Sequence, residues 1–198
     1  AEALLDFFGN WELQGPRLAF VSKVQGDLTK PDVVLGLAGR FKAVTAGIAY
    51  FAGPEGSQAT LDVAGQHTWN GAEGRWNLSV GFSAKAYRAT LDGSVEKKFS
   101  GGRELTISGK ATVEQAAGQG AQIDLQLDAA YDWSEDGKLV FRAQVTGAAG
   151  ILSYDLQLEG NFRFQAGTLS FQIKLDSSGP KPSTSLAQIG RASCRERV

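Results

Sequence analysis

The sequence has very few of the residues on which metal sites and disulfide frameworks depend. Its 198 residues include one cysteine, one histidine and no methionine. A lone cysteine cannot form an intramolecular disulfide, and one histidine with one cysteine cannot supply the four ligands of a usual zinc site. The composition therefore argues against a disulfide-stapled fold and against a zinc centre.

Long apolar runs and prolines are scarce as well. No run of 18 apolar residues occurs, so the sequence offers no candidate for a transmembrane helix. Five prolines stand against 25 glycines, and threonine, valine, leucine and aromatic residues are abundant. This composition favours β-structure, and the length suits one domain or an array of small repeats.

The chain ends on IGRASCRERV, residues 189–198, which differs in kind from the rest. This peptide contains three arginines and the only cysteine, Cys194, and it closely resembles the translation, in one reading frame, of a sequencing-library adapter. We expect 189–198 to be a translation scar, with a natural basic tail as the alternative. We also expect 179–188 to be a disordered, linker-like tail that packs on nothing.

Residues 1–178 are expected to be a fragment of a longer protein, since the chain opens on AEALLDFFGNW without an initiator methionine. Without the last ten residues, 17 basic residues stand against 20 acidic ones, a net charge of −3. A mildly acidic chain without clustered Lys or Arg argues against nucleic-acid binding. No cysteine then remains, so a cysteine nucleophile is excluded as well.

A repeated pattern runs through the chain. Its segments share a leucine, an adjacent acidic residue and an aromatic residue five to seven positions beyond the acidic one: LLDFFGNW (4–11), ATLDVAGQHTW (59–69), ATLDGSVEKKF (89–99), LQLDAAYDW (125–133) and LQLEGNFRF (156–164). The leucines at 61, 91, 127 and 158 recur every 30 to 36 residues. A second β-like segment follows most of them after a glycine-containing turn. This spacing predicts one β-hairpin per repeat, about ten to twelve strands and essentially no helix.

Strict alternation assigns the two faces of these strands. In IDLQLDAAYDW the residues Leu125, Leu127 and Trp133 fall in one phase, and Asp124 and Asp128 fall in the other. A period of two is typical of a strand with one wet face. We expect Leu91, Leu127, Leu158, Trp133, Phe141 and Phe164 to be buried or lipid-facing, and Asp92, Asp128, Glu159, Arg142 and Lys174 to be wet. Turns are expected near 71–74, 101–102, 135–137 and 165–167.

An antiparallel meander with one apolar face must cover that face. The predicted fold is all-β, with the hairpins forming a sandwich, a barrel or an extended curved sheet. A filled sandwich or barrel is favoured over an outer-membrane barrel, because every connection is short and Lys97 falls in the apolar phase of its strand. The repeated alternating strands, rich in Gly, Leu and Asp, are similar in style to bacterial envelope proteins of the bridge-like lipid-transfer type. That similarity implies a lipid-carrying apolar face, and it assigns no residue.

Catalytic and metal-binding arrangements find little support. His67 shares the phase of Leu61 and Trp69 close to a turn, and it is expected to be a packed or half-exposed structural residue. Asp124, Asp128 and Asp132 share a face, but positions four apart on a strand are roughly 13 Å apart. Their expected partners are Lys138 and Arg142 on the adjacent strand.

Two short glycine-containing segments do not match ligand-binding loops. The EDG segment at 135–137 lacks the frame of a calcium loop, and GGR at 101–103 is expected to be a hairpin turn rather than a phosphate loop. We therefore predict no catalytic, cofactor-binding or metal-binding residue and no cofactor.

The predicted function is a non-enzymatic structural or surface-presenting β-repeat segment of a larger exported bacterial protein. The alternative is an outer-membrane β-barrel or a lipid-binding β-sheet groove of the cell envelope. The expected partners are lipid, a membrane or a protein surface at the apolar face, and flanking repeats of the uncut protein. The expected location is outside the cytoplasm, either exported or in the cell envelope.

Overall fold

The computed structural model describes residues 2–12, 17–27, 29–54, 56–133, 137–164, 167–177 and 183–191. Every regular element in these ranges is a β-strand. The strands are β1 (Glu2–Glu12), β2 (Arg17–Asp27), β3 (Asp32–Phe41), β4 (Val44–Gly53), β5 (Gly56–Trp69), β6 (Ala72–Ser83), β7 (Ala86–Lys98), β8 (Arg103–Ala116), β9 (Gln122–Trp133), β10 (Gly137–Ala148), β11 (Ile151–Phe164), β12 (Gly167–Asp176) and β13 (Ser183–Arg191). Over the same ranges, no helix has the length and hydropathy needed to cross a membrane.

The strands form one sheet whose order follows the sequence from β1 to β13. The pairings with a defined register are antiparallel, as in a meander, and the sheet is not closed. The predicted all-β sheet of repeated hairpins is therefore confirmed, with thirteen strands instead of ten to twelve. Of the predicted arrangements, the closed barrel is excluded, because the sheet is not closed.

The repeat seen in the sequence corresponds to alternate strands. Leu61, Leu91, Leu127 and Leu158 lie on β5, β7, β9 and β11, and each of these strands is followed by the second strand of a hairpin. The loosely patterned region from 21 to 58 forms strands of the same kind. VLGLAGRF, whose outline resembles that of LQLEGNFRF, lies on β3. The hairpin period thus also extends through the part of the sequence where it is hardest to read.

Two of the four expected turns lie within the described residues. Asn70 and Gly71, with φ angles of 46° and 74°, join β5 to β6, so the turn is tighter than the expected 71–74. Gly101 and Gly102 also have positive φ, as a hairpin turn requires. The other two expected turns, near 135–137 and 165–167, lie mostly outside the described residues, although the strands that flank them pair as expected.

The expectation of an unpacked tail after residue 178 is wrong for part of that segment. Ser183–Arg191 form β13, which pairs with β12 from Thr168 to Asp176. The segment has no period-two alternation of apolar and polar residues, and the edge of β12 supplies its backbone partners. Residues 178–182 and 192–198 lie outside the described part.

The chain divides into two compact units. The first comprises residues 1–67, 75–92 and 112–121, and the second comprises 68–74, 93–111 and 122–198. Among the described side chains, Ala72 is the one buried hydrophobic residue. The apolar side chains are therefore only partly withdrawn from water within each unit.

Candidate functional site

The apolar face of the second unit is organised in rows that run across β9, β10, β11 and β12. The strand register defines three complete rows, each with one residue from every strand. They are Tyr131, Leu139, Gly160 and Phe171; Ala129, Phe141, Leu158 and Ile173; and Leu127, Ala143, Leu156 and Leu175. None of these residues carries a charge. Alternation along each strand therefore produces a continuous uncharged surface.

This face is only partly exposed: of the twelve row residues, Leu127 and Ile173 are exposed, Gly160 is buried and the other nine are half-buried, and the largest exposures lie beside the rows at the strand ends. Leu127 is 42% exposed, Trp133 is 52% exposed and Phe164 is 59% exposed. The sequence assigned these residues to the correct face, but a filled core over them is contradicted, because about half of each side chain is exposed. Leu91 is exposed as well, whereas Phe141 and Leu158 are half-buried. With strands about 4.8 Å apart and alternate residues about 6.8 Å apart, the three rows span roughly 400 Å². These four strands alone thus match the largest apolar patch of a typical soluble monomer.

Aromatic rings contact one another on parts of this surface. Phe162 and Phe171 are stacked, with ring centroids 6.3 Å apart and ring planes 21° apart. At another position Tyr131 packs edge-on against both Phe99 and Trp133, with centroids 6.4 Å and 5.6 Å apart. These contacts hold the rings in place without a second layer of protein.

The first unit has an apolar face of the same kind. Leu37 pairs with Ile48, and Ile48 pairs with Leu61 on the next strand. A concavity of about 370 Å³ lies over these residues, and Phe41 and Val44 also line it. In this unit the ring of Trp76 lies over Gly65, which has no side chain to obstruct it. Both units therefore have partly exposed apolar side chains, and in the first unit these line a concavity. A concavity of about 340 Å³ in the second unit is lined instead by polar-face residues such as Lys138, Glu159 and Gln172.

A larger concavity, of about 710 Å³, has a different character. Its floor is a row of small residues, including Ala19, Ala38 and Gly47, and Arg40 and Asp62 also line it. The space arises because the side chains are short, and its rim is charged. Leu18 is the one large apolar side chain among its described lining residues.

The polar face of the second unit carries a ladder of ion pairs. Arg142 lies 3.9 Å from Asp128 and 3.7 Å from Glu159, so it connects three strands. Lys138 lies 3.2 Å from Asp132. The predicted pairing of these aspartates with Lys138 and Arg142 is confirmed. Asp124 instead accepts hydrogen bonds from the side-chain amides of Gln126 and Gln144.

Two lysines on the polar face have perturbed proton affinities. A hydrogen bond to Glu96, together with its charge, raises the pKa of Lys98 above its usual value. Asp155 raises the pKa of Lys174 in the same way, and its carboxylate lies 3.0 Å from the ammonium. Both lysines are exposed, so these shifts report ordinary ion pairing at a wet surface.

The remaining sequence candidates do not assemble into a site. His67 lies on β5 and is exposed, rather than packed or half-exposed as the sequence suggested. Over the described ranges, no three side chains of His, Cys, Asp or Glu are grouped closely enough to hold a metal ion. Gly101 and Gly102 form a turn, whereas most of the EDG segment falls outside the described residues.

Comparison with known proteins adds no family. No protein-family model matches the chain, and no curated protein matches it. The two faces of the sheet are therefore the features that bear on function. Sequence reasoning identified those faces, but it missed the glycines over which aromatic rings lie. Their signal is a glycine in the apolar phase of a strand, as at Gly65 and Gly160.

Proposed function

We propose that this chain is a non-enzymatic segment of an exported bacterial cell-envelope protein, and that its apolar face holds the hydrocarbon chains of lipids. The observation that carries the proposal is the uncharged, partly exposed surface formed by the rows on β9–β12. Water at such a surface is unfavourable by about 25 cal/mol for each Å² of apolar area. A bound hydrocarbon chain would remove that cost.

Hydrocarbon fits this surface better than a protein partner does. Protein interfaces typically form about one hydrogen bond per 100–200 Å². The three rows cover roughly 400 Å², and Tyr131 is the only residue in them with a polar side chain. A ligand without hydrogen-bonding groups loses nothing by binding there, whereas a protein surface would have to desolvate polar groups without compensation.

The charged residues on the polar face support the same proposal. Its side chains are engaged in ion pairs such as Arg142 with Asp128 and Glu159, which are partly exposed. Exposed pairs of this kind contribute little to stability, and moving their charges out of water would cost desolvation free energy. They therefore favour a face that stays in contact with water. The sheet is thus amphipathic, with one face suited to water and one to hydrocarbon.

Photo-crosslinking from adjacent positions tests the proposal. The variants Phe141→p-benzoylphenylalanine and Arg142→p-benzoylphenylalanine place the same photoreactive group on opposite faces of β10. The full chain is expressed with a secretion signal in a bacterial host and irradiated, and its adducts are identified by intact-mass spectrometry. We expect lipid adducts at position 141 and few at position 142. A second matched pair, at Phe171 and Gln172, examines the same contrast on β12.

Three outcomes would contradict the proposal. Equal lipid adducts from both faces would mean that the contact is nonspecific, and their absence from both faces would mean that the apolar face does not meet lipid. Protein adducts confined to position 141 would instead favour the structural, surface-presenting role, with another chain or flanking repeats covering the face.

A further inference from the structure

Two cationic residues lie on the otherwise uncharged apolar face of the second unit. Lys97 is in the apolar phase of β7, and Arg103 begins β8 in the same phase as Leu105. The backbone amide of Phe99 donates a hydrogen bond of 2.8 Å to the carbonyl of Arg103, which closes the hairpin between them. Lys97 and Phe99 are alternate positions, about 6.8 Å apart along the chain, and Arg103 lies opposite Phe99 across the hairpin.

These cations have no carboxylate partners among the described residues of their face. The Lys97 ammonium lies 5.2 Å from the centroid of the Phe99 ring. The adjacent Lys98 points to the polar face, where it forms an ion pair of 3.1 Å with Glu96. Glu96 thus compensates the charge of Lys98 on the polar face, whereas no described carboxylate compensates the charge of Lys97 on the apolar face.

The aromatic residues around Lys97 extend onto β9. Phe99 contacts Tyr131, and Tyr131 contacts Trp133, which is the last residue of β9. Tyrosine and tryptophan favour positions where an apolar environment meets water, because each has a large apolar ring and a polar group. In a sheet that binds hydrocarbon, this cluster would therefore lie at the end of the strands, where hydrocarbon meets solvent.

A bound anion would neutralise the charges of Lys97 and Arg103. Ammonium and guanidinium groups form short, strong hydrogen bonds with phosphate or carboxylate oxygens, and a nearby apolar surface strengthens them. A cation–π contact offers a lysine only part of that stabilisation. A ligand with an anionic group beside a hydrocarbon chain would satisfy the cations and the apolar rows together.

We infer that Lys97 and Arg103 bind the anionic head group of an amphiphile whose hydrocarbon chain lies on the apolar rows of the second unit. The inference rests on the proposed function and narrows its ligand from lipids in general to anionic amphiphiles. Phosphate and carboxylate head groups share the required chemistry. The Phe99, Tyr131 and Trp133 rings pack beside the head group at the water boundary.

Binding of matched amphiphiles to the full chain tests this assignment. The probes are dodecyl phosphate, dodecyl maltoside and inorganic phosphate, each titrated calorimetrically at concentrations where the amphiphiles are monomeric. We expect dodecyl phosphate to bind more tightly than dodecyl maltoside. The double variant Lys97→Gln with Arg103→Gln should weaken dodecyl phosphate about tenfold, as for one lost charge-assisted hydrogen bond, and leave dodecyl maltoside unchanged.

Control variants separate this role from a general charge or stability effect. Lys98→Gln removes a cation from the same end of β7 but from the opposite face, and it should leave both affinities unchanged. Lys97→Arg keeps both the charge and the contact with Phe99, and it should restore most of the binding of Lys97→Gln. Circular dichroism checks that each variant keeps its β-structure.

Each adverse outcome identifies what has failed. If both amphiphiles bind the wild-type chain equally, or if Lys98→Gln weakens dodecyl phosphate as much as the double variant does, the head-group assignment is wrong and hydrocarbon binding stands. If inorganic phosphate binds as tightly as dodecyl phosphate, the cations form a phosphate site and the assignment to amphiphiles is wrong. If neither amphiphile binds, the proposed function fails together with the inference.

Discussion

The ring of Phe171 lies directly over Gly160, its cross-strand partner on β11. A β-carbon added at Gly160 would overlap the ring and would also come within 3.0 Å of Phe162. Glycine is unfavourable in a strand interior because it loses more backbone entropy than other residues. The aromatic ring compensates by covering the backbone that glycine leaves bare.

Gly160→Ala should therefore destabilise the sheet by about 1–3 kcal/mol, since Phe171 must leave its position to make room. Urea unfolding followed by circular dichroism measures the change. The matched control is Gly81→Ala, where an added β-carbon would meet nothing closer than a backbone oxygen at 3.9 Å. Adding Phe171→Leu to Gly160→Ala should recover part of the loss, whereas strictly additive effects would show that the ring and the glycine are not coupled.

Ala149 occupies a left-handed turn conformation, with a φ of 51°, between β10 and β11. This conformation costs an alanine roughly 1–2 kcal/mol and is easy for glycine. Ala149→Gly should therefore stabilise the chain by about 1 kcal/mol, measured as a higher urea midpoint. Ala148→Gly, one residue earlier and paired with Ile151 in the strand, should instead destabilise it by about 0.5–1 kcal/mol. A loss of stability in Ala149→Gly would contradict the assigned turn.

Leu127→Ala should have an effect that depends on whether the apolar face is occupied. A fully packed leucine would lose about 2–5 kcal/mol on truncation. Because Leu127 is 42% exposed, the loss in the free chain should be only about 1–2 kcal/mol. A bound neutral amphiphile, such as dodecyl maltoside, should increase the difference between variant and wild type.

The adjacent residue supplies the control for Leu127→Ala. Asp128→Ala removes an exposed ion pair on the opposite face and should cost under about 1 kcal/mol with or without amphiphile. Urea unfolding with and without the amphiphile compares the two variants. Equal amphiphile effects on both would show that the two faces do not differ in ligand binding.

Lys174 provides a test of the ion pairs by pH. Because Asp155 raises the pKa of Lys174 in the folded chain, the pair stabilises folding fully below the unfolded pKa. That contribution is lost as pH rises through the folded pKa, so the effect belongs to the alkaline range. NMR titration of the Lys174 side chain should give a lower pKa in Asp155→Asn than in the wild type. An unchanged pKa would mean that the 3.0 Å contact does not persist in solution.

The local pattern was sufficient to predict much of this protein. Period-two alternation specified the strands and their two faces, since a change of one residue reverses the side to which every side chain points. The Leu–acidic repeat identified the hairpins, and the pairing of Asp128 with Arg142 followed from cross-strand geometry. The turn at Ala149 was less visible because alanine carries no signal for a positive φ.

Alternation could not determine what covers the apolar face, because the same pattern suits a sandwich, a barrel or an open sheet. The tertiary structure placed the strands in one sequential sheet, left Leu127 and Trp133 exposed, and put Gly160 under the ring of Phe171. It also paired Ser183–Arg191 with the edge of β12, where a disordered tail was expected. Sequence thus determined the chemistry of each face through local periodicity, whereas strand order and long-range register decided which residues meet and which remain open to a ligand.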